Sequence, residues 1–132
     1  MIIDSSAIIA ILKAETESTR CLNAIGAASH MAMSAASYLE ASIVADNTRP
    51  QRFSLEFENF LVDQRIAIEP VTEVQAKLAR IAHRRYGKGS GHPARLNFGD
   101  CFAYALARDR NEPLLFVGDD FSHTDIRSAF GG

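Results

Sequence analysis

The sequence predicts a three-layer α/β/α domain with a short, mainly parallel central sheet. Three observations predict it. Short apolar runs, Ile2-Ile3 near the start and Leu114-Leu115-Phe116-Val117 near the end, have the unbroken apolar character of strands covered on both faces. Helical segments follow the strands, so the chain runs strand, helices, strand, helices, strand, helices, strand. Carboxylates stand where strands stop or helices begin, which is where open α/β sheets build their ligand sites. A length of 132 residues is enough for one domain, 1–132, with a sizeable core. Hydrophobic residues at 47% against charged ones at 23% exclude a disordered chain.

The elements follow in order. Ile2 and Ile3 are β-branched and suit a strand, Asp4 falls where it stops, and Ser5-Ser6 suit a helix entry. The run from Ala7 to Leu12 is wholly apolar, which predicts a deeply packed first helix. Glu15-Thr16-Glu17 is expected to open a second helix, with acids at its positive end and Leu22 and Ile25 facing inward. Met31-Ala32-Met33 predicts a second strand and Ser34 the start of a helix from Ala35 to about Asp46. Within that helix Glu40 is flanked at helical spacing by Ala36, Ile43 and Val44, so it is expected to project from an apolar stripe. After a break at Asn47-Thr48-Arg49-Pro50, the spacing of Phe53, Phe57, Phe60 and Leu61 gives one aromatic helix face, either core or a partner surface. Ile66 to Val71 predicts a third strand, and Val74, Leu78 and Ile81 mark the next helix.

The charge pattern then changes. A net charge of -2 does not advertise nucleic acid, but its distribution does. Between Glu73 and Asp100 there is no acid, while Lys77, Arg80, Arg84, Arg85, Lys88 and Arg95 accumulate with His83 and His92. Tyr86-Gly87-Lys88-Gly89-Ser90-Gly91-His92-Pro93 reads as a flexible basic loop. Its glycines do not follow the order of a phosphate-binding P-loop, and no strand precedes them. A basic, glycine-rich segment suits tracking a phosphate backbone through Arg84, Arg85 and Lys88, with Tyr86 stacking one base. Asn97-Phe98-Gly99-Asp100 then begins a helix in which Asp100 can complete a capping box. The last strand ends in Gly118-Asp119-Asp120, where glycine permits a tight turn.

Four acids, Asp4, Glu40, Asp100 and Asp119, therefore share the site-building end of the fold. Each alone has an ordinary explanation as a cap or a solvated side chain. Brought together, two carboxylates about 4 Å apart repel by roughly 4 kcal/mol at an effective dielectric near 20. Without a cation, one or more should hold a proton. An all-oxygen donor set favours Mg²⁺, or Mn²⁺ as a substitute, over zinc. Asp4, Asp100 and Asp119 are the expected metal ligands. An acidic metal pocket beside a basic loop is the layout of a nuclease.

These motifs carry a resemblance. Ile3-Asp4-Ser5-Ser6-Ala7, Ser37-Tyr38-Leu39-Glu40, Asn97-Phe98-Gly99-Asp100-Cys101 and the segment from Leu114 to Ile126 resemble PIN-domain proteins, more narrowly the VapC-type toxins of prokaryotic toxin–antitoxin pairs. Tyr86-Gly87-Lys88-Gly89 resembles the same subgroup, and the similarity spans essentially the whole chain. The resemblance implies a PIN-like fold and a metal-dependent endoribonuclease that cuts structured RNA, commonly tRNA or ribosomal RNA. It also implies homodimerisation and neutralisation by a cognate VapB-type antitoxin. The family's acids carry over onto Asp4, Glu40, Asp100 and Asp119. Two departures stand out. Ser5 replaces the usual Thr but keeps a hydroxyl able to orient a carboxylate or water. Asp119 and Asp120 are adjacent, and Asp119 is preferred because it directly follows the strand and glycine; Asp125 is expected to be a turn or helix-start residue.

Other classes fit less well. A phosphotransfer domain needs paired acids near its first strand end, and Asp4 is followed by Ser5-Ser6 instead. The alternative is a non-catalytic RNA-binding or interaction module with a PIN-like fold, which the presence of all four acids argues against. No apolar run approaches the roughly 18 residues of a membrane span. The start has no basic-then-apolar signal pattern, and Cys21 and Cys101 form no metal-spaced pair, so reduced thiols in a cytoplasm are expected.

Overall fold

The computed structural model describes residues 1–131. Strand β1 (Ile2–Ile3) leads into α1 (Ser5–Leu12) and α2 (Ser18–Ala27); β2 (Ala32–Ser34) into α3 (Ala35–Asn47) and α4 (Arg52–Asp63); and β3 (Ala67–Glu69) into α5 (Glu73–Tyr86) and α6 (Phe98–Arg110), before β4 (Leu114–Leu115). The sheet order is β3-β2-β1-β4, with every pairing parallel. The chain thus moves outward from β1 to β3 and then returns to the other side of β1 for β4. The ends of β1 and β4 flank the switch point at which connections diverge and leave a crevice.

Alternation along these short strands makes two cores. Ile2, Ala32 and Leu114 pack with the α5–α6 layer, whereas Ile3, Met33 and Leu115 pack with α1 to α4. The expected three-layer architecture is therefore present. The free side of β4 is covered by the C-terminal segment, where the Leu114 amide donates to the Arg127 carbonyl (2.8 Å) and the Ala129 amide to that of Leu114 (2.9 Å).

Several local expectations change. Helix α2 begins at Ser18, because Glu15 to Glu17 are used in the turn that leaves α1, and its buried residues are Cys21 and Ile25 while Leu22 is exposed. On α3 the inward positions are Ser37, Ala41 and Ala45, so Ile43 lies outside the stripe it was expected to form. On α5 the inward face is Gln75, Ala79, Ala82 and Tyr86, with Val74 and Ile81 exposed. Small residues win these faces because α5 and α6 pack closely, leaving little room for branched chains. On α4, Phe57 and Leu61 are buried, which makes the aromatic face core. Leu55 and Val62, by contrast, are 65% and 73% exposed.

Truncating Phe57 to alanine should cost about 3–5 kcal/mol. Leu55→Ala and Val62→Ala should each stay within about 0.5 kcal/mol. Urea unfolding midpoints check both.

Candidate active site

The site grows from helix caps. Asp4 caps α1: its Oδ2 accepts from the Ser6 amide at 3.1 Å. The side chain is buried, and Oδ1 finds no hydrogen-bond partner among the described residues. Ser6 Oγ accepts from the Val117 amide at 3.0 Å, which ties the exit of β4 to the entry of α1. One oxygen of Asp4 is thus used structurally while the other is buried and unmatched.

Asp100 repeats the device on α6. The Asn97 side chain accepts from the Asp100 amide (2.9 Å), and Asp100 Oδ2 accepts from the Asn97 amide (3.0 Å). This completes the expected capping box and fixes the carboxylate. Glu40 approaches from α3. Ser5 Oγ donates to its Oε1 at 2.6 Å, so the hydroxyl of the Thr-to-Ser departure does orient a carboxylate. Glu40 also lies against the backbone of Gly99, where a Cβ would meet Oε2 at 2.2 Å. A side chain at position 99 would push the Glu40 carboxylate from this position, and that constraint was not visible in the spacing of the acids.

Electrostatics bind these groups into one system. Burial pushes the Asp4 carboxyl up to about 6, and the charges of Glu40 and Asp120 add to the shift. Asp100 is pushed up to about 7, again chiefly by burial and then by Asp4, Asp120 and Glu40. The β4 exit therefore acts on the site through Asp120. Asp119 lines a separate cavity with Arg20 and Arg127, and its carbonyl accepts from Ser122. Gly118, with φ at +97°, turns the chain directly before the two adjacent acids, and it is the charge of Asp120 that adds to the shift of both buried carboxyls.

Among the described residues, no three His, Cys, Asp or Glu side chains form a ready-made metal cage. The donor set still fits a hard cation. The unmatched Oδ1 of Asp4 and the two carboxyls forced toward protonation are what a divalent cation would relieve. Mg²⁺ typically binds through one or two carboxylates and keeps several waters. Asp4 and Asp100 would hold it directly, with Glu40 and Asp120 acting through water. Cys101 is not a competing ligand, since its Sγ donates to the Asn97 carbonyl.

The basic segment runs into the start of α6 along the chain. Arg84, Arg85 and Lys88 are exposed at the end of α5 and the start of the following loop. That loop is closed at its base, where the Lys88 amide donates to the Leu96 carbonyl (2.9 Å) and the Leu96 amide to that of Tyr86 (2.8 Å). Leu96 leads straight into the Asn97 cap, so the basic segment is rooted beside Asp100. Ser90 and His92 make further bonds within the loop, which is stapled where a flexible segment was expected. Tyr86 is buried against His92 and Tyr104, with ring centroids 4.9 and 5.9 Å away, and does not offer its face to a base. Asp125 accepts from the Tyr104 hydroxyl at 2.6 Å, away from the acidic centre.

The PIN domain family matches residues 1–127. The chain belongs to the PIN-domain family. Within it, the relatives are VapC ribonucleases. VapC ribonuclease Mb0625 of Mycobacterium bovis is 50% identical over 129 residues, covering 98% of this chain and 97% of the relative. Ribonuclease VapC28 of Mycobacterium tuberculosis gives the same figures, 50% over 129 residues. Ribonuclease VapC30 of that organism is 43% identical over 126 residues, 96% of this chain and 95% of its own length. The chain is accordingly a VapC-type ribonuclease. The fold agrees with the solved structure of Mycobacterium tuberculosis VapC20, described as a sarcin–ricin loop cleaving toxin, at a TM-score of 0.77, 14% identity and 95% coverage of both chains. A toxin–antitoxin complex from Klebsiella pneumoniae matches at a TM-score of 0.70 and 14% identity, over 94% of this chain and 92% of that one. VapC toxins pair with antitoxins, and the family's nucleases depend on a metal. No helix among the described residues is long and apolar enough to cross a membrane.

A pH dependence follows from the raised carboxyls. In the unfolded chain both titrate near 3.8, and in the folded protein near 6 and 7. Protonation therefore favours the folded state: this contribution is complete below pH 4 and is lost as pH rises through 6 to 7. In chelator, heating scans should show this loss. Mg²⁺ or Mn²⁺ at pH 8 should restore a few degrees, roughly 3–6 °C, and Asp4→Asn should abolish the metal response.

Proposed function

We propose that this VapC-type protein is the toxin of a toxin–antitoxin pair and hydrolyses phosphodiester bonds of structured RNA, tRNA or rRNA, with Mg²⁺ as its cofactor. The observation that carries this reading is the buried pair Asp4 and Asp100, both raised in pKa, with Glu40 held beside them by Ser5. When bound, Mg²⁺ would supply charge neutralisation and an activated water. Asp4 and Asp100 hold their charge in place because each is also bonded into a helix N-terminus, Asp4 as the cap of α1 and Asp100 as the capping-box partner of Asn97. Ser5 occupies Oε1 of Glu40, which leaves Oε2 to orient the attacking water and accept its proton. Asp120 adds negative charge from the β4 exit and takes the place first assigned to Asp119. Arg84, Arg85 and Lys88 attract the RNA backbone and set its approach to Asp100.

The reading includes partners. A cognate VapB-type antitoxin and a second copy of the chain need apolar surface. The exposed pairs Leu39 and Ile43 on α3 and Leu55 and Val62 on α4, at spacings that keep each pair on one helix face, supply it. The site of action is the cytoplasm, where these RNAs reside.

Purified protein should make discrete cuts in total cellular RNA with Mg²⁺ or Mn²⁺, abolished by chelator. Asp4→Asn, Asp100→Asn and Asp120→Asn should each lower the rate on the order of a hundredfold or more, with Asp119→Asn close to the parent. Cutting that survives in the first two variants would mark a contaminant. Folded, Mn²⁺-binding protein without any cutting would favour the non-catalytic RNA-binding module.

Removing Arg84, Arg85 and Lys88 together should weaken RNA binding and flatten its log–log salt dependence by about 2. Titrations at several salt concentrations, in chelator, measure it. An unchanged slope would release these residues from the assignment.

A further inference from the structure

We propose that the groove between α5 and α6 is a base-binding slot that receives a nucleobase flanking the scissile phosphate, with Phe98 as its stacking platform. The inference rests on the RNA-cleaving reading and assigns that substrate a second contact point. The groove has a volume of about 360 Å³, enough for one base. One wall is built by α6, where Phe98 and Phe102 stand four residues apart and meet edge to face at 4.9 Å. The other is built by α5, where Ala76, Ala79, Arg80 and His83 share a helix face. No carboxylate lines it.

Phe98 is the residue that demands an explanation. It is 78% exposed, more than any other large apolar side chain among the described residues. It occupies the first position of α6, two residues before Asp100 and next to the glycine that abuts Glu40. A strand of RNA crossing the start of α6 can thus present a phosphate to the acids and a neighbouring base to Phe98, within about one helical turn. Arg80 and His83 opposite the ring, and Arg84 one turn on from Arg80, supply the positive rail that accompanies a stacking platform in single-strand binding. The apolar floor from Ala76 and Ala79 tolerates any base, so the slot positions the strand without reading its sequence. Tyr86, buried in the core, leaves Phe98 as the aromatic ring available near the centre.

The test compares binding of a fluorescein-labelled 12-nucleotide oligoadenylate and an abasic strand of equal length, in chelator so that no cleavage intervenes. The parent protein should bind the oligoadenylate more tightly than the abasic strand. Phe98→Ala should lose roughly tenfold in affinity for the oligoadenylate and nothing for the abasic strand, while Phe98→Tyr should behave like the parent. Equal affinity of Phe98→Ala and the parent for the oligoadenylate would overturn the slot. So would a loss equal on both strands accompanied by a change in oligomeric state on sizing, which would assign the groove to a second copy of the chain. Failure of the parent protein to cut total RNA would count against the nuclease reading alone, because the binding comparison needs no cleavage.

Discussion

Keeping Asp4 and Asp100 charged while they are buried is the constraint on which the rest of the site depends. Both carboxyls are pushed up by loss of water first and by neighbouring acids second. A fold that only needed helix caps would solve this with serine or asparagine, which satisfy the same amides without charge. Two acids kept together in a crevice, with one oxygen of Asp4 left unmatched, hold their protons up to about pH 6 and 7, and a cation beside them would favour the anions at lower pH. The acidic centre thus carries a standing demand for a metal. The surrounding structure, with Ser5 on Glu40 and Gly99 making room for it, holds the acids in place against their mutual repulsion.

The economy of the design lies in caps that serve two purposes. Asp4 and Asp100 each spend one oxygen on a helix terminus, and this locks their rotamers without help from loops. The chain crossings of a parallel sheet then decide where those termini meet. Because β4 inserts beside β1 after the excursion to β3, the entry of α1, the exit of β4 and the start of α6 converge on one crevice. The bond from the Val117 amide to Ser6 closes that convergence. Next to it, the stapled basic loop opens directly into the Asn97 cap, so cationic and anionic surfaces adjoin because they are consecutive in the chain.

Much of this could be read from residue order. The strands, the cap residues Asp4, Ser34 and Asn97, the break before α4 and the capping-box acid Asp100 are local signals, and local signals survive in a sequence. Where the expectation failed, the cause was non-local. Val74, Ile81 and Ile43 look like core residues, yet alanines take the buried faces because the opposing helix lies too close for branched side chains. Tyr86 looks like an RNA-facing aromatic, but the closed loop folds His92 over it. Glu15 to Glu17 look like a helix start, and the turn out of α1 consumes them.

The sequence by itself determined the class of the fold, the family and the chemical character of the centre. Those depend on periodicity, cap chemistry and the ordered set of acidic motifs, all properties of short stretches. Only the tertiary structure decided that the charge of Asp120 is felt by Asp4 and Asp100, that Gly99 abuts the Glu40 carboxylate, and that Phe98 is an exposed ring two residues from Asp100. Each of these depends on a direction or a distance between segments far apart in the chain. Gly118 turns the chain at φ +97° directly before two adjacent acids, and residue spacing carries no information about that rotation.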